Sequence, residues 1–396
     1  MGSSGDSRAN QLMQEAERAL RARNPGAALP LLRQAEALSP ADPNLKMQLA
    51  LALRATGDLG GALDTLDQAL VIDPYLLLAL LSKGYLLERL GRRHEAAAVY
   101  RNALKTAPPD DQLAPGLLEP LHRAREAVRE DSERMEAFLL DRTKSLREGR
   151  AGEAMDRFDL GLQLFAGGKR LYLPQPVVLH YPGLPVSQFY DRNLFPWLGE
   201  LEAATQTIRE ELIHVLRDDL EEFNPYIQYP PGVPVNQWVE LNHNPRWNSY
   251  FLWKDGRKDE AHCHRCPRTA DLLERLPMLD QPGFGPTAVF SVLAPKTHIP
   301  PHTGSTNTRL LVHLPLILPG PARFRVGNEV RDWKMGEAWV FDDTIEHEAW
   351  NDADQTRVIL ILDVWNPHLT AAERVLISAM MTAKTEYAAE GHADES

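Results

Sequence analysis

The chain has 396 residues and a net charge of −12, and 43% of it is hydrophobic, so two or three globular domains are expected rather than one. It carries no basic stripe or long Lys/Arg block, which excludes nucleic acid as the main partner; no segment approaches the ~18–20 apolar residues of a membrane span. Cys263 and Cys266 are the only cysteines, too few for a disulfide framework, and the start from Met1 to Asp6 lacks the basic and apolar regions of a secretory signal, so a cytoplasmic protein is expected.

The first hundred residues repeat with a period of 34. Ala16, Ala50 and Gly84 are successive steps of it, as are Ala28, Ala62 and Ala96. So are Ala35, Ala69 and Ala103, and then Pro40, Pro74 and Pro108. Small residues let paired helices cross closely, and the prolines stop the second helix of each pair. Gly57 and Gly91 mark the turns inside repeats two and three, and Asn24-Pro25-Gly26 does so in the first. Leu49, Leu53, Leu66 and Leu70 supply apolar residues at helical spacing. The stretch resembles three tetratricopeptide repeats (TPRs) over residues 8–110, stacked as an α-solenoid whose surface would take a protein partner.

Residues 111–170 read as a helical linker or cap: Leu117, Leu121, Ala124, Val128, Met135, Phe138 and Leu139 share one face, with charges on the other. From about Leu171 proline becomes dense and short β-branched or aromatic runs alternate with turns. A helix over Glu200–Leu216 is followed by strands at Ala288–Leu293, Arg309–Ile317, Ala322–Val326, Ala338–Phe341 and Arg357–Val364. Such spacing predicts an antiparallel barrel or jelly roll over residues 171–396.

Two histidines on that barrel are candidate metal ligands. His302 precedes the turn Thr303-Gly304-Ser305-Thr306-Asn307, and His347 follows Phe341-Asp342-Asp343-Thr344. Non-haem iron on a barrel usually takes two histidines and a carboxylate, the acid two residues after the first histidine. That position is Gly304, so a two-histidine site is complete without it, or there is no metal. Arg357 lies in the apolar run Val358–Leu362 and needs an anionic partner. A dicarboxylate cosubstrate would serve, as would Asp363 or Asp342. Arg309, Leu311 and His313 share one strand face by period two. His298 and His368 read as ordinary histidines. Cys263-His264-Arg265-Cys266 lacks the second ligand pair of a structural zinc site and reads as a loop without metal.

Three blocks make a resemblance specific: Pro301–Leu310, Phe341–Trp350 and Leu362–Pro367. In order and spacing they resemble the aspartyl/asparaginyl β-hydroxylase family, with a weaker match back through Leu272-Leu273-Glu274 to about residue 180. The resemblance implies a double-stranded β-helix binding Fe(II) through His302 and His347, with the carboxylate absent as a family trait. It implies that Arg357 and Ser291 grip the carboxylate of 2-oxoglutarate, that His313 stands at the cosubstrate's other end, and that Arg309 faces the active site. Two positions depart from the animal enzymes: Leu311 replaces a second arginine that helps bind ligand carboxylate, and Ala270 replaces the cysteine that would pair with Cys263.

The expected reaction is therefore a dioxygenase step with Fe(II), 2-oxoglutarate and O₂, hydroxylating a C–H bond such as the β-carbon of an Asp or Asn residue in a peptide or protein. Three alternatives stand beside it: hydroxylation of a small molecule or lipid acyl chain, halogenation through chloride at the extra coordination position, and a non-enzymatic repeat scaffold with a degenerate barrel.

Overall fold

The computed structural model describes residues 2–149 and 155–393. The chain divides into two compact units, Met1–Arg170 and Leu171–Ser396.

The first unit is built from helix pairs: α1 (Gly2–Arg21) with α2 (Pro25–Leu38), α3 (Pro43–Thr56) with α4 (Leu59–Ile72), and α5 (Leu77–Arg89) with α6 (Arg93–Thr106). The 34-residue register is an α-solenoid of three TPR-like pairs. Gly57 ends α3 in the left-handed region at φ 91° and Gly91 turns at φ 76°, conformations that favour glycine. The repeating alanines are at most 2% exposed. At Gly84 the crossing is closer still, since a Cβ there would stand 2.3 Å from the Tyr100 ring.

A long helix, α7 (Leu118–Glu148), follows, and then α8 (Asp156–Ala166). Leu121 and Ala124 join the core beside α6, and the buried Asp131 accepts from Arg101 at 2.7 Å. Met135 and Phe138 were expected on the buried face with them but are exposed. In that stretch α7 is bound to α8 through polar pairs, including Gln163 with Glu136 at 3.0 Å.

The second unit opens with an extended, proline-rich strap and two helices, α9 (Leu198–Ala203) and α10 (Thr205–Asp218). The single helix expected over Glu200–Leu216 is thus broken at Ala204. Then come β1 (Asn224–Pro225), β2 (Trp247–Lys254), β3 (Arg257–Lys258), α11 (Glu260–Arg265) and α12 (Pro267–Arg275). The remaining strands are β4 (Ala288–Leu293), β5 (Thr297–His302), β6 (Arg309–Ile317), β7 (Ala322–Val326), β8 (Glu329–Asp332), β9 (Trp339–Phe341), β10 (His347–Asn351) and β11 (Arg357–Trp365), before the terminal helix α13 (Ala371–Ala393).

Two antiparallel sheets result. The larger runs β1-β2-β4-β11-β6-β9 with β3 on β2, and the smaller runs β5-β10-β7-β8. Alternation sorts their side chains into two layers. Tyr250, Phe290, Leu360, Val312 and Val340 pack outward against α10 and α12. Val289, Ile359, Ile361 and Phe341 point inward to meet Ile299, Phe324, Val326 and Ala349 of the smaller sheet. This is a double-stranded β-helix, or jelly roll. The buried Glu211 of α10 accepts from the backbone N–H groups of Arg268 and Thr269, both at 2.9 Å, satisfying the otherwise open N-terminus of α12.

Candidate active site

Between the two sheets lies a cavity of about 180 Å³, and all six of the residues picked out in the sequence line it: Ser291, His302, Arg309, His313, His347 and Arg357. They come from β4, β5, β6, β10 and β11, so only the closed sandwich brings them together.

His302 ends β5 and His347 starts β10, and the two are direct cross-strand partners. Their ring centroids are 4.0 Å apart. Each Nδ1 lies against a backbone carbonyl, Pro300 O at 2.8 Å and Ile345 O at 3.0 Å. A carbonyl can only accept, so each Nδ1 carries the proton and each Nε2 keeps its lone pair. Burial pushes His302 down to about 3, helped by the neighbouring His347, and pushes His347 down to about 4. Both rings are neutral bases, the form in which imidazole binds a metal.

Gly304, where an iron-binding carboxylate would usually stand, has its space taken. A Cβ there would meet the Asp343 carboxylate at 2.0 Å, and the Gly304 N–H donates to the Asp343 carbonyl at 2.6 Å. Asp343 is therefore close to His302 in space though distant in sequence, and sequence spacing missed it. Among the described residues no group of three or more His, Cys, Asp or Glu side chains is arranged to hold a metal ion.

Arg357 is 1% exposed, and its Nε and Nη1 have no hydrogen-bond partner. Its guanidinium lies 4.4 Å from the Trp333 ring centroid. Burial alone pushes it down to about 9. Neither acid considered as its partner takes that role. Asp363 pairs with Arg309, and Asp342 accepts from the Thr344 N–H and hydroxyl. A buried guanidinium with unfilled donors fits an anionic ligand. Beside it, Ser291 Oγ accepts from Trp247 Nε1 at 3.0 Å, which leaves the hydroxyl proton free to donate. The buried His313 Nδ1 is also unpartnered, and burial, then the Arg357 charge, holds this ring neutral.

Arg309 is placed differently. Its Nη1 reaches Asp363 and its Nη2 reaches Asp343, each at 3.3 Å. Burial works to lower its pKa, but the two carboxylates outweigh it and hold the guanidinium above its ordinary value. The rest of the lining is aromatic and aliphatic. Tyr226 stacks on Trp247 at 4.2 Å, and Trp238 stands edge-on to His302 at 4.9 Å. These aromatic residues were not foreseen, because they lie just after β1, in β2 and in a short turn, stretches that show no clear strand pattern.

The strap lies against the turns beside both histidines. Val177 N–H and Val178 N–H donate to the carbonyls of Gly304 and Ser305, and Gln175 N–H donates to Thr344 O. Asn307 exchanges hydrogen bonds with the Tyr181 backbone at 2.7 and 2.9 Å. Elsewhere, His298 bonds Glu348 and stacks on Trp350. Cys263 and Cys266 are both free and buried.

A jelly roll whose inner cavity joins two neutral histidines to a buried, unpaired arginine defines the class of protein. The sequence model described as aspartyl/asparaginyl beta-hydroxylase matches residues 202–367. The chain is 38% identical over 150 residues to human aspartyl/asparaginyl beta-hydroxylase, covering 38% of this chain and 20% of that protein. It is 35% identical over 218 residues to the ornithine lipid ester-linked acyl 2-hydroxylase of Rhizobium tropici, covering 54% of this chain and 70% of that protein. Among solved structures it is similar to an Arabidopsis OM64 TPR domain, at 21% identity and a TM-score of 0.29, covering 32% of this chain and 98% of that one. The chain belongs to the aspartyl/asparaginyl β-hydroxylase family. It spans only about a fifth of the length of the human and mouse enzymes.

Proposed function

We propose that this protein is an Fe(II)- and 2-oxoglutarate-dependent dioxygenase that hydroxylates a C–H bond. The observation that carries the reading is the pairing of two neutral histidines, Nε2 free, with a buried guanidinium that lacks an anion. His302 and His347 would hold the metal. Arg357 would bind the distal carboxylate of 2-oxoglutarate through its open Nε and Nη1, with the Ser291 hydroxyl donating a further bond. Trp247 fixes that hydroxyl by donating to its oxygen, which leaves its proton for the ligand. His313, neutral and walled by Phe324 and Phe341, would face the cosubstrate's other end. When bound, the iron, 2-oxoglutarate and O₂ supply the oxidation, with succinate and CO₂ as co-products. The aromatic walls exclude water from that reaction.

Two substrate readings have support. The family name and the human relative favour an Asp- or Asn-type residue in a peptide. The Rhizobium relative, 70% of whose length is covered, favours a lipid acyl chain. The TPR-like unit would recruit a protein partner. No helix of the described residues is long and apolar enough to cross a membrane, and two buried free thiols suit a cytoplasmic setting.

The test is conversion of 2-oxoglutarate to succinate by the wild type and by His347→Ala. The expected result is turnover in the first and its loss in the second. Equal activity in both sinks the iron reading.

A further inference from the structure

We infer that the group this site hydroxylates is an uncharged alkyl segment, and that the substrate end of the cavity rejects carboxylates. The inference rests on the hydroxylase reading and deepens it. The cavity has two guanidinium groups, and neither offers a substrate acid an uncommitted counter-ion. Arg357 lies at the closed end with Ser291, His313 and Trp333, all buried, and is the group that the cosubstrate needs. Arg309 lies toward the more open end with Tyr226, Ile227, Gly304 and Leu311, all part-exposed.

Both terminal nitrogens of Arg309 are already engaged, by Asp343 and Asp363, and only its buried Nε lacks a partner. The three charges sum to one net negative, so an incoming carboxylate would meet repulsion where its counter-ion should be. Asp363 does not turn away, because its Oδ1 accepts from the Thr287 N–H at 2.8 Å. Asp343 is fixed against Gly304.

Leu311 completes the argument. It stands between Asp363 and Phe341 in register on the inner face of β6, where it adds apolar surface and no donor. With Ile227, Trp238, Ile299 and Ile361 it makes the wall facing His302 apolar. An alkyl group loses nothing on entering such a wall, whereas a carboxylate loses its hydration and finds only the buried Arg309 Nε, beside two carboxylates, in return. The alkyl segment has two possible sources, an acyl chain or an aliphatic side chain of a peptide.

Binding separates the cases without turnover. The full chain is loaded with 2-oxoglutarate and Zn(II), which does no redox chemistry, and titrated calorimetrically. One pair of probes is octanamide and the monoamide of suberic acid. The other is a glycine-rich peptide with Leu or with Asp at its centre, two side chains of similar shape. In at least one pair the uncharged probe is expected to bind about tenfold tighter or more, a difference of about 1.4 kcal/mol, and the pair that binds identifies the source. Leu311→Arg is expected to reverse the preference, and Leu311→Gln, which adds no charge, is expected to weaken the alkyl probe without admitting the acid. Equal or tighter binding of the acidic member overturns the inference, as does failure of both uncharged probes to bind. Failure of the hydroxylase reading shows separately, as absence of any 2-oxoglutarate turnover with iron.

Discussion

The carboxylate of Asp343 fills the space that a side chain on Gly304 would need, its Oδ2 only 2.0 Å from where that Cβ would be. Restoring a carboxylate at position 304 therefore does not rebuild a three-ligand iron site. Gly304→Ala, and more so Gly304→Asp, is expected to expel Asp343 from its place beside Arg309. Overpacking with loss of a buried charge partner costs about 3–5 kcal/mol. Denaturant unfolding followed by tryptophan fluorescence, which reports on the jelly roll, checks this; a Gly304→Asp variant as stable as wild type contradicts it.

Arg357→Met should have opposite effects on ligand binding and on the free protein. Removing an unpaired buried cation is expected to stabilise the ligand-free chain by about 1–4 kcal/mol. The same change is expected to weaken 2-oxoglutarate binding by about 100-fold, because the ligand carboxylate is left without its partner. Melting curves with and without 2-oxoglutarate read both effects at once: the variant starts higher and gains nothing from the ligand.

Trp247→Phe tests whether the indole positions Ser291. The ring volume is largely kept while the 3.0 Å bond from Nε1 to Ser291 Oγ is lost. A loss of about 1 kcal/mol, or roughly fivefold in the Kd of 2-oxoglutarate, is expected. Unchanged affinity would show that the serine needs no help.

The two thiols give a pH dependence. Burial raises both Cys263 and Cys266 to about 12, above their ordinary value, so the folded state favours the neutral thiol. This contribution is fully present below the unfolded pKa near 9 and is lost as pH rises from about 9 toward 12. Each thiol then costs about 1.4 kcal/mol of stability per pH unit. Cys263→Ser with Cys266→Ala should flatten stability between pH 9 and 11, and the native wild type should label with a thiol reagent only as fast as it unfolds.

Gly84→Ala probes the solenoid by the same logic. A Cβ 2.3 Å from the Tyr100 ring forces apart α5 and α6, and a loss of about 1–3 kcal/mol is expected. Far-ultraviolet circular dichroism, dominated by the helices, is the measurement.

How much of this was readable depends on the element. Ala288–Leu293, Arg309–Ile317 and Ala322–Val326 are as read from their apolar patterns, because both faces or one whole face of each is buried. The two strands that carry the histidines were not legible. Thr297–His302 contains Pro300 and Pro301, which interrupt any strand pattern, and proline is tolerated there because β5 lies at the edge of its sheet. His347–Asn351 has no β-branched residue at all. The histidines themselves were still found, since an unusual residue pair beside turns is visible where a strand is not. Asp343 was visible only as part of a turn; its approach to Gly304 is made by the closure of β10 onto β5, which no local spacing encodes. Helix α13 went unread because its apolar residues do not gather on one face.

The strap has a practical bearing on how the catalytic half is delimited. The family match starts at residue 202, yet the carbonyls of Gly304, Ser305 and Thr344 are satisfied by donors between Gln175 and Leu179. A fragment cut at the edge of sequence similarity would strip hydrogen-bond donors from the turns next to both histidines. The folding boundary of this unit therefore lies ahead of its homology boundary, and excision of a working catalytic fragment has to begin at or before Leu171.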